Sequence, residues 1–297
     1  MDPPSVDIPK SRSSRTRASL VWPKSGLAGA SDSSKRRMEL NCDLGEGESP
    51  RRTVALLRLV TACNIASGGH AGTIKSMSFC LNQAGKLGVK AGAHPGIAQG
   101  AGFGRQAAPV TESELEMILL HQVSAFNQLA LRLKVRPHHV KLHGALYLAT
   151  EHSPALARHY IEIMRKYWPG LVVYGLAGGR VEKSARRAGH PFQAEAFADR
   201  VYRSSGHLLS RTEPKAILHD ARDIVAQAID ITRKYQVRTF DGAMIRIRAD
   251  TLCVHGDTRG ALGALRSIRA LLGLKKKTRE PSPRPSPSLV PFPRDGR

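Results

Sequence analysis

Short apolar runs alternate with longer amphipathic stretches over most of this 297-residue chain. Seven apolar runs have the length of buried strands, and they cover residues 38–43, 61–66, 89–94, 139–143, 171–176, 194–198 and 251–255. The stretches between them predict helices at residues 53–59, 73–87, 111–133, 155–167, 181–188, 219–234 and 261–272. This alternation predicts a parallel sheet with helical crossovers, and the number of repeats favours an α/β barrel over an open sheet.

The alternation stops at both ends of the chain. Residues 1–37 are basic and rich in Ser and Pro, and residues 274–297 are basic and rich in Pro. Neither segment has enough apolar surface to offset the entropy that ordering would cost. We therefore predict a disordered tail at each end and a single β/α-barrel catalytic domain at residues 38–273.

The formal net charge of +22 raises the question of nucleic acid, but the two tails carry much of it. Aromatic residues are few, and no basic stripe is interleaved with them, which argues against nucleic acid and favours an acidic or phosphorylated small molecule. The four cysteines form no CxxC pair, so we expect a reducing compartment. No apolar run is long enough to span a membrane and no secretory signal precedes the domain, so we expect a cytoplasmic protein.

Five polar islands follow apolar runs, and they read LNCDLGE, NIASGGHAG, GAHPG, VKLHGALY and CVHGD. The carboxyl ends of parallel strands meet at one rim of a barrel, so the islands predict an active site at that rim. Side-chain alternation places Asn41 and Asp43 on one strand face. The Asp, Glu and His residues of the islands suit either a metal site or metal-free acid–base chemistry, and both readings stay open here. The other histidines are expected to be surface or packing residues: His121, His138, His139, His152, His159, His190 and His207.

In order and approximate spacing, these segments resemble the LamB/YcsF family, whose members are also described as the A subunits of 5-oxoprolinase. The motifs that carry the resemblance are LNCDLGE, NIASGGHAG, GAHPG followed by GFGR, VKLHGALY, FADRVY and ADTLCVHGD. The resemblance implies a distorted, TIM-barrel-like β/α barrel related to the glycoside hydrolase and polysaccharide deacetylase barrels. It also implies ATP-dependent opening of the 5-oxoproline (pyroglutamate) lactam to L-glutamate, carried out with two partner subunits.

By that resemblance the catalytic candidates are Asp43, Glu46, His70, His94 and His143, and we expect Asp43 or Glu46 to act as the base. The residues expected to bind substrate or phosphate are Asn41, Asn64, Lys141, Tyr147, Arg200, His255 and Asp257. ATP, with Mg²⁺, is the implied cofactor. No protein-bound metal is firmly predicted, but if one is bound, its expected ligands are Asp43, His70 and His94.

Two other functions compete with this reading. One is a metal-dependent, deacetylase-like hydrolase acting on a C–N amide bond. The other is a non-enzymatic, basic nucleic-acid-associated protein, which rests on charge alone. The departures from the family pattern include three single positions: Ser67 stands where Cys is usual, Thr73 where Asp is usual, and Leu142 where Pro is usual. In addition, Gly-Ile-Ala-Gln follows GAHP where Tyr-Pro is common, and the loop after Glu46 is somewhat short.

Overall fold

The computed structural model describes residues 38–98, 103–105 and 109–274. In chain order their strands are β1 (Glu39–Leu44), β2 (Ala62–Ala66), β3 (Lys90–His94), β4 (Pro137–Lys141), β5 (Val172–Leu176), β6 (Phe192–Phe197), β7 (Gln236–Arg238), β8 (Met244–Arg246) and β9 (Thr251–Cys253). Strands β1 to β6 and β9 run parallel and close into a barrel, with β9 pairing both β6 and β1. Each of these strands overlaps one predicted run, so the predicted α/β barrel is confirmed.

Helices surround the barrel, and their bounds are α1 (Pro50–Leu57), α2 (Ile74–Lys86), α3 (Glu112–Arg132), α4 (Gly144–His152), α5 (Pro154–Tyr167), α6 (Arg180–Ala188), α7 (Ala221–Ile229) and α8 (Ala261–Leu271). A π-helical turn, Asp230–Lys234, extends α7. The long helix α3 begins where the sequence predicts: Thr111 accepts a hydrogen bond from the Glu114 backbone, and the Glu114 side chain accepts one from the Thr111 backbone. Such caps satisfy backbone N–H groups that a helix start otherwise leaves unpaired.

Two elements were not predicted. Helix α4 follows β4 almost directly, and its cap residue His143 makes no side-chain cap hydrogen bond, so its start carries no sequence signal. The second is the antiparallel hairpin of β7 and β8, which lies in the connection between α7 and β9. Its strands are three residues each, too short for a period of two to stand out.

Alternation along β1 shows how the barrel separates apolar packing from chemistry. Leu40, Cys42 and Leu44 belong to the hydrophobic core. Asn41 and Asp43 point the other way, and both accept hydrogen bonds from the Asn64 side chain on β2. The prediction that these two polar residues share a strand face is confirmed. The barrel interior therefore holds buried polar groups near the strand ends.

The structure bears on the predicted tails and on membrane crossing only within the described residues. The expected disordered tails, 1–37 and 274–297, lie outside them except for Leu274. Among the helices that the structure describes, none is both long and apolar enough to cross a lipid bilayer.

Candidate active site at the carboxyl end of the barrel

A pocket of about 240 Å³ opens where the barrel strands end. The predicted site residues that line it are Asp43, His94, Lys141, His143, Tyr147, Arg200 and His255. They come from segments far apart in the chain, so the predicted convergence of the islands at one rim holds in the structure.

Four of the catalytic candidates form one cluster, here called the imidazole cluster: Glu46, His70, His94 and His143. Glu46 Oε1 lies 2.9 Å from His70 Nε2 and 3.3 Å from His143 Nδ1. The rings of His70 and His143 stack with their centroids 3.5 Å apart, and His143 Nδ1 lies 3.0 Å from His94 Nε2. His94 is oriented from behind, because its Nδ1 lies 2.7 Å from the carbonyl oxygen of Lys141.

Burial sets the protonation of this cluster. It lowers the pKa of His70 and lowers the pKa of His143 to about 3, although Glu46 favours the charged form of both rings. Burial acts on His94 in the same direction, but the neighbouring Asp43 carboxylate outweighs it and raises the His94 pKa. Burial opposes ionisation of Glu46, yet hydrogen bonds from His143 and His70 lower its pKa. His94 is therefore the most basic ring of the cluster.

Asp43 joins the imidazole cluster to the barrel interior. Its Oδ2 lies 3.4 Å from His94 Nε2 and 3.8 Å from His255 Nε2. Its Oδ1 accepts hydrogen bonds from Lys141 at 3.0 Å and from Asn64 at 2.7 Å. Burial opposes ionisation of Asp43, but Lys141 and His94 hold its pKa well below the usual range. Asp43 thus presents a fixed negative charge to the pocket.

A buried polar network inside the barrel contacts the residues that line the pocket. Lys141 Nζ lies 3.0 Å from Glu195 Oε1, and Asn41 donates to the same oxygen at 3.1 Å. His139 Nε2 lies 2.7 Å from Asn64 Oδ1 inside the barrel. Sequence reasoning passed over His139, although it stands two residues before Lys141 on one strand and so shares its face. The buried lysine has its pKa raised well above normal, since Asp43 and other anions outweigh the effect of burial.

Three of the residues predicted to bind substrate or phosphate belong to this network. Asn41 and Asn64 are fully buried, and their amide groups bond to one another. The Tyr147 ring lines the pocket, but its hydroxyl donates to Glu195 Oε2 at 3.2 Å. The structure therefore places these three side chains in support of Asp43 and Lys141, because their polar atoms are already used inside the protein.

His255 also lines the pocket, and Asp199 orients it. Its Nδ1 lies 2.9 Å from Asp199 Oδ1, and its backbone N–H donates to Asp199 Oδ2 at 2.9 Å. Thr258 donates to the same carboxylate at 2.7 Å. Burial opposes ionisation of Asp199, but His255 and Thr258 lower its pKa. A proton held on Nδ1 by Asp199 leaves Nε2 free to exchange a proton in the pocket.

Three guanidinium groups stand at the pocket mouth, here called the guanidinium cluster: Arg105, Arg200 and Arg211. Arg105 binds Asp257 at 2.7 Å, and Arg211 lies 3.9 Å from the same carboxylate. Burial, with Arg211 nearby, lowers the pKa of Arg200 to about 10. Asp257 therefore holds Arg105 and Arg211, while the buried Arg200 donates to the carbonyl oxygens of Leu209 and Ala216. Sequence reasoning missed Arg211, which stands in a loop with no motif.

Within the described part of the chain, two groups of side chains have donor atoms close enough to hold a metal ion. The first is Glu46, His70, His94 and His143, and the second is Asp43, Cys253 and His255. In each group the donor atoms lie within 4.8 Å of one another. The lowered pKa values of His70 and His143 keep them in the neutral form that metals require. The first donor set suits an ion such as Zn²⁺. The metal ligands expected from the sequence, if a metal is bound, are Asp43, His70 and His94. In the structure His70 and His94 belong to the first donor group, whereas Asp43 belongs to the second.

The three single-position departures from the family pattern fit locally. Ser67 accepts a hydrogen bond from the His94 backbone at 3.1 Å, so it helps to place that ring. Thr73 caps α2 and shares a capping box with Ser76. Leu142 is buried and lines the pocket. None of them removes a polar group from the imidazole cluster.

Comparison with known proteins identifies the family to which this chain belongs. The LamB/YcsF family pattern matches residues 38–285. The chain belongs to the LamB/YcsF family. Among curated proteins it is similar to the A subunit of 5-oxoprolinase from Bordetella pertussis, with 40% identity over 79% of this chain and 94% of the relative. The corresponding protein of Paracidovorax citrulli is 39% identical over 79% of this chain and 95% of the relative.

A solved structure agrees with the fold. The chain is similar to the lactam utilization protein from Thermus thermophilus, with a TM-score of 0.71 and 32% sequence identity. The match covers 80% of this chain and 96% of that protein. The predicted family membership is therefore confirmed, and so is the predicted barrel architecture.

Proposed function

We propose that this chain is the A subunit of a 5-oxoprolinase, in which the lactam of 5-oxoproline is opened to L-glutamate in an ATP-dependent reaction with partner subunits. The observation that carries the proposal is the pocket, whose lining combines the guanidinium cluster with Asp43, His94 and His143. 5-Oxoproline has the matching chemistry, with a carboxylate on one side of its ring and an amide on the other. The names of the family relatives support the same substrate class.

The pocket suggests how the substrate lies. Its carboxylate fits the guanidinium cluster, because guanidinium groups bind carboxylates through paired hydrogen bonds. The lactam carbonyl then points towards Asp43 and His94, which lie 3.4 Å apart. A pocket of about 240 Å³ is smaller than the range of roughly 300–1,000 Å³ common for larger ligands. We infer that ATP binds outside this pocket, where partner subunits supply the nucleotide site.

The proposed proton movements use Asp43 and His255, whose Oδ2 and Nε2 atoms lie 3.8 Å apart. Bound MgATP would supply a phosphoryl group to the lactam carbonyl oxygen with ADP as the leaving group, and after ring opening a second water would release that group as inorganic phosphate. Asp43 accepts a proton from the attacking water as the new C–O bond forms. We assign the base to Asp43 rather than Glu46, because Asp43 is among the residues that line the pocket and Glu46 is not. As the C–N bond breaks, the proton that Asp43 took from water passes to the ring nitrogen through His255 Nε2, which lies 3.8 Å from Asp43 Oδ2 and is oriented by Asp199.

A coupled assay tests this proposal. Purified chain is mixed with 5-oxoproline, MgATP and the partner subunits from the same organism, and glutamate is measured. We expect glutamate only when the chain and its partners are both present. No glutamate with the complete set of subunits would overturn the proposal. Omitting ATP from the complete mixture serves as the control for coupling.

A second function, metal-dependent amide hydrolysis, is favoured by the four donor atoms of the imidazole cluster. In that case His70, His94 and His143 with Glu46 would hold the ion, which would polarise the amide carbonyl. Elemental analysis of the purified protein separates the two functions. Stoichiometric zinc together with ATP-independent amide cleavage would support the metal-dependent hydrolase over the ATP-coupled one.

A further inference from the structure

We propose that the hairpin surface, formed by Tyr235, Arg238, Phe240, Met244 and Arg246, is the docking site for an acidic face of a partner subunit. This inference rests on the proposed function, because it treats the chain as one subunit of a larger enzyme. Beyond that function, the inference names where the partner binds and which charge the partner's surface carries.

Large apolar side chains are concentrated on this hairpin. Of the six large hydrophobic side chains left exposed among the described residues, three lie here: Tyr235 is 55% exposed, Phe240 59% and Met244 42%. Single exposed apolar residues are common, but a cluster marks an interaction site. Tyr, Phe, Met and Arg are also the residue types enriched in the centres of protein interfaces.

The hairpin has one face towards the core and one towards solvent. Val237 pairs with Ile245 across the strands, and both pack with the hydrophobic core. The next pair, Arg238 with Met244, points outward because side chains alternate along a strand. Within the described part of the chain β8 pairs with β7 alone, so its other edge offers main-chain groups to a further strand.

The charge of the hairpin surface selects an acidic partner. Among the described residues no salt bridge involves Arg238, Arg246 or the neighbouring Arg248, and all three are exposed. A groove of about 300 Å³ continues this surface towards α6 and adds Lys183. Arg186 also lines the groove, but it is bound to Glu182. Cations without counter-ions attract a surface rich in carboxylates and repel one that carries the same charge.

Charge and geometry disfavour two other occupants. A second copy of this chain would bring another +22 to a surface that is already cationic. A single-stranded nucleic acid binds best where aromatic rings form a platform for its bases. Here the two exposed rings, Tyr235 and Phe240, stand at opposite ends of β7, so the strand separates them.

The tip of the hairpin also touches the segment that supplies the guanidinium cluster. Phe240 N–H donates to the carbonyl oxygen of Tyr202 at 2.7 Å, and Ser204 donates to Asp241 at 2.8 Å. The same segment continues to Arg211 in the pocket lining. Residues 202–211 therefore connect the hairpin to the lining of the substrate pocket. This position suits a partner subunit that takes part in activating the substrate in the pocket.

Binding measurements with charge-reversal variants test the proposal. The probe is the set of purified partner subunits used in the glutamate assay, and affinity is measured at about 50 mM and about 300 mM salt. We expect the double variant R238E/R246E to bind at least about 10-fold more weakly, with the larger loss at low salt. F240S should weaken binding by several-fold at both salt concentrations. Hydrogen exchange across residues 235–246 should slow when the partners bind wild type.

Matched variants separate docking from charge and folding effects. R158E/R165E makes the same charge change on α5, and I74S removes an exposed apolar side chain on α2. Both should bind the partners as wild type does, and all variants should show the wild-type thermal transition. Unchanged affinity in R238E/R246E and F240S would overturn the proposal. So would failure of wild type to bind the partners, or a finding that the variants remove only self-association or RNA binding.

The outcomes also separate this inference from the proposed function. Partners that bind through the hairpin but give no glutamate would refute the function and leave the docking surface in place. Glutamate formation with full affinity in the hairpin variants would refute the docking surface and leave the function in place.

Discussion

The two walls of the pocket differ in how their charges are held. The first wall holds the imidazole cluster and Asp43, which bond to one another and to buried groups. The second wall is the guanidinium cluster, in which Arg105 and Arg211 share the carboxylate of Asp257 and Arg200 donates to the carbonyl oxygen of Leu209. Buried partners keep the groups of the first wall in position for reaction, whereas the second wall has more cations than carboxylates and therefore suits binding of an anion. The comparison therefore separates residues expected to affect turnover from residues expected to affect affinity.

The largest effect is expected on the first wall from Asp43→Asn. Removing the base should lower kcat by about 10²–10⁴-fold with little change in KM, because the asparagine keeps the shape but cannot accept the proton. The measurement is steady-state glutamate formation with partner subunits. Glu162→Gln, on the exposed face of α5, is the control. A kcat close to wild type in Asp43→Asn would remove Asp43 from its assigned role.

Lys141→Met tests how much the buried ion pairs of the same wall contribute to stability. This change leaves Asp43 and Glu195 buried without their shared cation, so we expect the free energy of unfolding to fall by about 3–5 kcal/mol. Urea denaturation measures the loss. Lys183→Met on the surface of α6 should change stability by less than about 0.5 kcal/mol. Equal stability of the two variants would mean that the buried ion pairs contribute little.

Acid sensitivity should also originate on the first wall. The folded pKa of His143, about 3, lies below its value in an unfolded chain, so the unfolded state binds the extra proton first. The stability that His143 contributes is therefore present above about pH 6.5 and is lost as pH falls towards about 3. His143→Asn should flatten the stability curve in this window by on the order of 2–3 kcal/mol. His121→Asn, at an exposed site on α3, should leave the curve unchanged.

The smallest effect is expected on the second wall from Arg211→Gln. Loss of one guanidinium from the mouth should raise KM for 5-oxoproline by roughly 10-fold and leave kcat within about twofold, because the carboxylate is bound equally in the ground and transition states. Initial rates over a range of substrate concentrations measure both constants. A fall in kcat with KM unchanged would place Arg211 with the chemistry and end the distinction between the two walls.

The residues of the first wall could be predicted from the sequence more fully than those of the second, for a physical reason. Asp43, His94 and Lys141 stand at strand ends, and a period of two together with strand-end position brings them to one rim without knowledge of the fold. Arg211 stands in a loop, and no local pattern marks it. Glu195 and Asp199 stand at the end of β6, and Asp199 belongs to the FADRVY motif, but their bonds to Lys141 and His255 join segments distant in the chain and could not be predicted.

By itself, the sequence determined the barrel, the family and the residues aimed at the pocket. These follow from local periodicity, helix caps and motifs that lie within a few neighbouring residues. Only the tertiary structure decided which of those residues bond to one another, because hydrogen bonds across the barrel join positions such as Asn41 and Glu195, which lie 154 residues apart. It also decided the protonation of His143, since its pKa depends on burial, and burial is a property of the packed chain.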